Sequence, residues 1–370
     1  MVPYPARIAA LRAATGLEDG AVDAVILVPG TNLIYFLGLE FHLSERPTLA
    51  IIQRESMSMI VPYLEMPKLH NRPDLEIRPF AWRDETGFIG AFQEAVDALG
   101  LRGARIAIDG MTMRASEWLA LQEIDPALRP VRTERALIGL RARKTADEIA
   151  SLRNAVQISE NALDHLLREV KPGMTEAQIA ARLESLMMDL GAHGKSFDTL
   201  VQSGVNSSNP HGSTTDRAVQ AGEFLLIDWG AKVDGYLADL TRTFCIGEPS
   251  AEMQRIYDTV LAANEAAKAA VRPGVPMSAI DHAARSVIDA AGYGVYFTHR
   301  TGHGLGMDGH EPIPQIAANV TDLLEPGMVF TIEPGIYLPE LGGVRIEDDV
   351  LVTETGADIL STYPRTLRLP

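Results

Sequence analysis

Residues 171–370 contain an internal repeat, and this duplication constrains the fold more than any other feature of the sequence. Segment 222–230 aligns without gaps on segment 327–335, and both are apolar, strand-like runs that end in Ile, an acidic residue, one further residue and Gly. A Pro-Gly pair at 172–173 precedes a predicted helix in the first copy, and a pair at 273–274 precedes one in the second. Since duplicated segments form similar structural units, we predict one domain of two halves. Each half is a helix pair plus antiparallel strands, and a pseudo-twofold axis relates them.

The duplication also places acidic residues in pairs. Asp228 and Glu333 occupy the same place in the two copies, as do Asp239 and Glu347 on the strands that follow. If the halves pack about a twofold axis these four carboxylates meet, and like charges a few ångströms apart repel strongly. Two divalent cations would balance them, and oxygen ligands suit Mn, Mg or Co. The alternative, four exposed turn residues, conflicts with the apolar strands at whose ends Asp228 and Glu333 lie, because burying a free carboxylate is costly.

Histidines are concentrated in the second copy. His299, His303 and His310 lie within a segment of twelve residues. Glycines on both sides of His303 allow the backbone to approach an ion or a ligand closely. A neutral imidazole is a good metal ligand, and its neighbours could act as hydrogen-bond donors or acid/base groups. His211 lies in a Gly/Ser/Asn-rich loop ahead of the first acidic strand, much as His310 precedes the second.

Residues 1–145 alternate strand-like and helix-like runs and show no cluster of His, Asp and Glu that indicates chemistry. Two apolar runs, 49–52 and 57–61, flank the polar turn 53–56 and predict a β-hairpin. We predict a smaller α/β domain over residues 1–145, followed by a catalytic domain over 146–370 that starts with a linking helix. The predicted fold class is therefore α+β.

Composition narrows the possible partners. The net charge is −16, from 33 Lys+Arg against 49 Asp+Glu, which argues against nucleic acid or an anionic membrane as a partner. No apolar run reaches transmembrane length, and the first residues lack the features of a secretory signal. The single cysteine, Cys245, is expected in the core and favours a cytoplasmic location.

The five candidate ligands stand in short motifs. They are Asp228 after Leu226-Ile227, Ala238-Asp239-Leu240-Thr241-Arg242-Thr243, Gly302-His303-Gly304-Leu305-Gly306, Ile332-Glu333-Pro334-Gly335 and Arg345-Ile346-Glu347. These motifs resemble those of the pita-bread metallopeptidases, and most closely the branch of Xaa-Pro aminopeptidases and Xaa-Pro dipeptidases (prolidases). The N-terminal part is similar to the creatinase/prolidase N-terminal domain.

The resemblance implies a role for each ligand. Asp239 and Glu347 would bridge two metal ions, Asp228 would complete one site, and His303 and Glu333 would complete the other. The metal would be Mn, with Co, Zn or Fe as alternatives.

Further roles concern the substrate. His211 and His310 would steady the peptide carbonyl and the tetrahedral intermediate, His299 would line the same pocket, and Arg345 would support the site. Glu333, in contact with the bridging water, would also relay the proton of that water to the leaving nitrogen. The expected activity is hydrolysis of the N-terminal Xaa-Pro amide bond of short peptides, by a protein that forms a homodimer.

Other functions are compatible with such a site, because fold and ligands do not fix the substrate. A small non-peptide substrate would make the protein an amide hydrolase or an organosulfur lyase. A metal-free creatinase-like enzyme and a binding protein without activity are disfavoured by the complete ligand set. Two departures from the family pattern, Trp229 and Ile313, could tune the substrate pocket.

Overall fold

The computed structural model describes residues 4–369, and the chain divides into two compact units, Met1–Arg141 and Ala142–Pro370. Within the described residues, no helix is both long and apolar enough to cross a bilayer.

The N-terminal unit is built around a single six-stranded sheet. Its strands are β1 (Ala24–Leu27), β2 (Leu49–Ile52), β3 (Met57–Pro62), β4 (Ile77–Trp82), β5 (Arg105–Ile108) and β6 (Arg129–Arg132). Its helices are α1 (Tyr4–Ala14), α2 (Thr31–Leu37), α3 (Met66–His70), α4 (Ile89–Ala98), α5 (Ala115–Ile124) and α6 (Glu134–Ala142). The strand order is β4-β3-β2-β1-β5-β6, with β2 antiparallel to both neighbours and the other pairs parallel. The predicted hairpin is confirmed, because β2 and β3 pair with Leu49 opposite Ile60.

The C-terminal unit repeats one arrangement twice. Its helices are α7 (Ala146–Leu167), α8 (Glu176–Asp189), α9 (Ala251–Ala270) and α10 (Met277–Ala290). The strands of the first half are β7 (Gly194–Lys195), β8 (Leu200–Ser203), β9 (Phe224–Trp229), β10 (Ala231–Val233), β11 (Tyr236–Leu237) and β12 (Leu240–Cys245). Those of the second half are β13 (Gly302–Gly304), β14 (Glu311–Ile316), β15 (Val329–Ile332), β16 (Gly335–Leu338), β17 (Gly342–Arg345), β18 (Asp348–Val352) and β19 (Ala357–Ile359).

All strand pairs of this unit are antiparallel. The first half forms the sheets β11-β10-β7 and β12-β9-β8, and the second forms β14-β13-β15-β18-β19 and the hairpin β16-β17. Each half is thus a helix pair followed by antiparallel strands, as the internal repeat predicts. Cys245 is buried in β12, as expected.

Both helices of the first half begin at capping boxes. The Thr145 hydroxyl accepts the N–H of Glu148 (3.4 Å), and the Thr145 N–H donates to the Glu148 carboxylate (2.7 Å). Thr175 and Gln178 make the same exchange at the start of α8 (3.1 and 3.0 Å), as their spacing predicts. Because the first N–H groups of a helix lack intrahelical partners, these contacts fix where the two helices start.

Trp229 belongs to the core of the first half. Its indole is fully buried, and Nε1–H donates to the carbonyl oxygen of Ser159 in α7 at 2.9 Å. The Ser159 hydroxyl accepts the N–H of Ala231 at 2.8 Å, so one residue of α7 fixes the end of β9. Ile313 packs against the core of the second half. The described residues that line the cavity include neither Trp229 nor Ile313, so an effect of either residue on the substrate pocket stays a prediction.

Helix α8 holds the loop that carries His211. The fully buried carboxylate of Glu176 accepts the N–H and the hydroxyl of Ser203 (2.6 and 2.8 Å). It also accepts the side-chain amide of Asn206 (2.8 Å) and the N–H and hydroxyl of Thr215 (3.0 and 2.7 Å). These donors compensate the desolvation of the carboxylate and join the two ends of the loop.

Replacing Glu176 with Gln should destabilise the C-terminal unit by about 1.5–3 kcal/mol, because an amide group would face donors that now bond to a charged oxygen. Urea unfolding would show a lower midpoint at an unchanged m-value. The control is Glu169→Gln, since Glu169 is exposed and pairs with Arg182 at the surface, where the midpoint should barely move. If the urea midpoint of Glu176→Gln fell no further than that of Glu169→Gln, the role of Glu176 in holding the loop would be contradicted.

Candidate metal centre

Strand register brings the acidic residues of both copies to one place. Asp228 lies in β9 opposite Thr241 of β12, and Asp239 directly precedes β12. An isolated bridge joins Thr241 to Glu347, which directly precedes β18. Glu333 follows β15, whose end pairs with the start of β18. Acids at four strand ends are thereby neighbours in space.

The structure brings all five predicted ligands together. Ligand atoms of Asp228, Asp239 and Glu347 lie within 4.8 Å of one another, as do those of His303, Glu333 and Glu347. His303 Nε2 is 3.6 Å from Asp239 Oδ2 and 3.5 Å from Glu333 Oε1. Glu347 belongs to both groups, so the arrangement offers two adjacent ion positions with a shared carboxylate.

Burial and mutual repulsion oppose ionisation of the four carboxylates. Desolvation, followed by the charges of Glu347 and Asp228, raises the pKa of Asp239 well above its usual value. Desolvation and the charges of Glu333 and Asp228 do the same to the pKa of Glu347. Burial raises the pKa of Glu333 to about 7 and also raises the pKa of Asp228, against the opposing charge of Arg345. The cluster therefore needs either protons or cations as counter-charge.

The donor set fits divalent cations. Asp228 Oδ1 is buried and has no hydrogen-bond partner among residues 4–369, which is costly unless a cation contacts it. Burial lowers the pKa of His303 to about 3, so its imidazole is neutral. His303 Nδ1 lies 3.1 Å from the Gly304 carbonyl oxygen, which places the proton on Nδ1 and leaves the Nε2 lone pair for a metal. Carboxylate oxygens with one imidazole are a ligand set that Mn²⁺ and similar ions accept.

Arg345 connects three parts of the site. Its Nη2 donates to Asp228 Oδ2 (2.5 Å), its Nε to the Thr241 hydroxyl (3.1 Å) and its Nη1 to the Tyr337 hydroxyl (3.0 Å). The Thr241 hydroxyl in turn donates to Glu347 Oε2 at 2.6 Å. Through these bonds one buried guanidinium orients two carboxylates that belong to different halves of the unit.

Sequence reasoning missed Thr241 and Tyr337. Thr241 lies two residues after Asp239, a spacing that places side chains on the same face of a strand, so this signal could have identified it. The Tyr337 hydroxyl lies 2.8 Å from His299 Nε2 and links that histidine to Arg345. No local pattern marks Tyr337, because its partners lie 38 and 8 residues away along the chain.

Asn264 was also missed, although it contacts both glutamate segments. It is fully buried in α9, and its Nδ2 donates to the carbonyl oxygens of Ile332 (3.1 Å) and Ile346 (3.2 Å). These are the residues directly before Glu333 and Glu347. One amide group therefore fixes the distance between the backbones that present the two glutamates.

The candidate ligands border a cavity of about 320 Å³. Every residue predicted for the site lines it: His211, Asp228, Asp239, His299, His303, His310, Glu333, Arg345 and Glu347. Phe197, Pro210 and Arg300 also line it and were not foreseen.

The histidines around the cavity differ in environment. The His310 ring stacks on the His303 ring, with centroids 3.8 Å apart and an interplanar angle of 28°. Burial lowers the pKa of His299 to about 4, which keeps it neutral beside Tyr337. His211 and His310 are exposed, so both can reach a molecule that enters the cavity.

Known proteins are similar to this chain over nearly its whole length. The profile of metallopeptidase family M24 matches residues 150–354, and that of the Creatinase/Prolidase N-terminal domain matches residues 7–143. A Bacillus subtilis protein named uncharacterized peptidase YqhT is 35% identical over 347 residues, with 94% of this chain and 95% of that protein covered.

Two solved structures are similar in both sequence and fold. The dipeptidase PepE from Mycobacterium ulcerans is 35% identical with a TM-score of 0.91, covering 99% of this chain and 98% of the other. A prolidase from Thermococcus sibiricus is 33% identical with a TM-score of 0.94, covering 100% and 99%. The predicted pita-bread domain with a smaller α/β domain before it is confirmed by this likeness. The chain belongs to metallopeptidase family M24 and has a creatinase/prolidase N-terminal domain.

Proposed function

We propose that this metallopeptidase hydrolyses the Xaa-Pro amide bond of short peptides at a centre of two divalent cations. The observation that carries the proposal is the cluster of four carboxylates, two buried and two half-buried, with neutral His303 at a small cavity lined by three further histidines. The similar structures named prolidase and dipeptidase support a peptide substrate, and the first name supports the proline preference. A small non-peptide substrate is not favoured, because neither relative is named for one.

In this proposal Asp228 would complete the position of one cation, His303 and Glu333 would complete that of the second, and Asp239 and Glu347 would be shared by both. When bound, the two cations supply Lewis acidity and a water-derived nucleophile at neutral pH. The oxygen-rich donor set favours Mn²⁺ over ions that prefer thiolates, with Co, Zn or Fe as alternatives.

The protein's own groups position the substrate and move the proton. Glu333 lines the cavity beside His303, and in this proposal its carboxylate accepts the proton of the water-derived nucleophile and returns it to the leaving nitrogen. His310 and His211, both at the cavity, donate hydrogen bonds to the peptide carbonyl oxygen as negative charge develops on it. His299, fixed by Tyr337, completes the wall of the pocket.

A homodimer and a cytoplasmic location are the remaining proposals. The family resemblance supports the first, and the single cysteine supports the second.

Cleavage of a small panel of peptides tests the proposed preference for Xaa-Pro bonds. Metal-free protein reloaded with Mn²⁺ should cleave Ala-Pro, Gly-Pro or Ala-Pro-Ala at the Xaa-Pro bond and cleave Ala-Ala much more slowly. Activity should disappear with a chelator and return with Mn²⁺, as measured by release of the N-terminal amino acid. Stoichiometrically metal-loaded protein that cleaves no peptide would contradict the proposal and direct the search to non-peptide substrates.

Metal removal should make the stability of the C-terminal unit depend on pH. Burial raises the folded-state pKa of Glu333 to about 7 from its ordinary 4.5. The folded state keeps a proton that the unfolded state loses, so the free energy of unfolding falls as pH rises between these values, by roughly 3 kcal/mol for this group. Mn²⁺ replaces protons as the counter-charge, and the melting temperature should therefore increase more on adding Mn²⁺ at pH 7 than at pH 5. Calorimetric scans measure the two melting temperatures. Equal increases in melting temperature at pH 7 and pH 5 would contradict the role of cations as counter-charge for Glu333.

Replacing Asn264 with Leu should weaken metal binding about 10- to 100-fold, the usual effect of losing a group that orients ligands. Titration of Mn²⁺ against a competing chelator measures the affinity. The matched control is Asn32→Leu in the N-terminal unit, which removes another buried amide, one that donates to Asp109 at 2.8 Å. Both variants should lose stability, and only Asn264→Leu should lose metal affinity; an equal effect of the two would contradict the role of Asn264.

A further inference from the structure

Helix α10 carries an aspartate and an arginine one turn apart, and they form an ion pair. Asp281 is fully buried, and Arg285 is half-buried. The guanidinium donates through Nε to Asp281 Oδ2 and through Nη2 to Asp281 Oδ1, both at 3.1 Å. Neither residue is among the described residues that line the cavity. Any effect of this pair on the metal centre must therefore pass through other residues.

The same guanidinium holds the backbone of residues 297–303, here called the histidine segment. Arg285 Nη1 donates to the carbonyl oxygen of Phe297 at 3.0 Å, and Nη2 donates to that of His299 at 2.9 Å. The guanidinium also lies over the Phe297 ring, 4.2 Å from its centroid, which is a cation–π contact. Because its N–H donors lie in one rigid plane, a guanidinium can bond to a carboxylate and two carbonyl groups at once.

Asp281 holds the next part of the histidine segment. Its Oδ1 accepts the N–H of Thr301 at 3.1 Å and the Thr301 hydroxyl at 2.8 Å. The carbonyl oxygen of Thr301 in turn accepts the N–H of Glu333 at 2.8 Å. Two residues further on, the His303 N–H donates to the Thr331 hydroxyl at 3.2 Å. The backbones that carry the candidate ligands His303 and Glu333 are thus bonded to each other.

The distance between these two candidate ligands depends on that pairing. His303 Nε2 lies 3.5 Å from Glu333 Oε1, and residues 301–303 run beside residues 331–333. The histidine segment enters this pairing from α10, where Asp281 and Arg285 hold it. Groups that orient metal ligands in this way commonly contribute about 10- to 100-fold to metal affinity.

We propose that Arg285, acting with Asp281, is a positioning residue of the metal centre. It holds the histidine segment where His303 and Glu333 present their ligand atoms to one cation. The inference rests on the proposed centre of two cations and concerns how that centre is assembled, not which substrate it accepts.

The test measures Mn²⁺ affinity of the full-length protein by titration against a competing chelator. Arg285→Gln should bind Mn²⁺ about 10- to 100-fold more weakly than the wild type, because the histidine segment loses its bonds to α10. Arg285→Lys should fall between the two, because an ammonium group keeps the charge beside Asp281 but cannot also reach both carbonyl groups.

The absorption spectrum of the Co²⁺-loaded protein provides a second readout, because it depends on the geometry of the ligands. At saturating Co²⁺, the spectrum of Arg285→Gln should differ from that of the wild type. A contribution to stability alone would lower the urea midpoint and leave this spectrum unchanged. If Arg285→Gln does not fold, the affinity and spectrum of Arg285→Lys decide the question.

The control variant is Arg255→Gln on the neighbouring helix α9. Arg255 is exposed, and its Nε donates to the Tyr293 hydroxyl at 2.9 Å, shortly before the histidine segment begins. This variant also removes an arginine contact to the chain that follows α10, but none to the segment itself. Its Mn²⁺ affinity and Co²⁺ spectrum should match those of the wild type.

Two results would overturn the inference. One is wild-type Mn²⁺ affinity with an unchanged Co²⁺ spectrum in the Arg285 variants, and the other is an equal loss of affinity in Arg255→Gln. A wild-type protein that binds no Mn²⁺ would instead overturn the proposed centre of two cations.

Discussion

Four desolvated carboxylates that repel one another are the constraint around which the C-terminal unit is organised. Protein groups reduce this repulsion in part: Arg345 bonds to Asp228, and the Thr241 hydroxyl bonds to Glu347. Their pKa values nevertheless stay raised, since desolvation outweighs these contacts. The protein alone therefore does not balance the negative charge of these carboxylates. Divalent cations supply the positive charge that is missing. Metal binding and stability of this unit are therefore linked.

The two halves share a plan but fix their acidic strands by different chemistry. In the first half, Ser159 of α7 bonds to the indole of Trp229 and to the N–H of Ala231, on either side of the end of β9. In the second half, Asn264 of α9 bonds to the carbonyl groups before Glu333 and Glu347. The first helix of each half thus holds the backbone beside its acids. Duplication supplied the arrangement, and each copy has its own polar contacts.

The sequence predicted those parts of this structure that depend on residues close together along the chain. Strand-like runs ending in an acid, found twice, were sufficient to predict that Asp228 and Glu333 meet. Alternating apolar runs predicted the β2–β3 hairpin, and capping residues predicted where α8 begins. The assignment of ligand roles to these residues remains a prediction.

Contacts between distant segments could not be predicted in this way. Tyr337 and Asn264 carry no motif, and their importance appears only when the fold brings their partners within hydrogen-bond distance. Trp229 follows a candidate ligand in the sequence, yet it lies in the core and not at the wall of the cavity. Side chains alternate across a strand, so the neighbour of an inward-facing acid points to the other face, where the core lies.

That arrangement of Trp229 has a practical consequence. Its indole is one peptide bond from Asp228, fully buried, and hydrogen-bonded to a helix backbone. Emission from an indole responds to nearby charge, and loading of the centre would change the charge at Asp228. The chain has two other tryptophans, Trp82 and Trp118, and both lie in the N-terminal unit. We therefore expect the fluorescence of Trp229 to report ion uptake without a label or a coupled reaction.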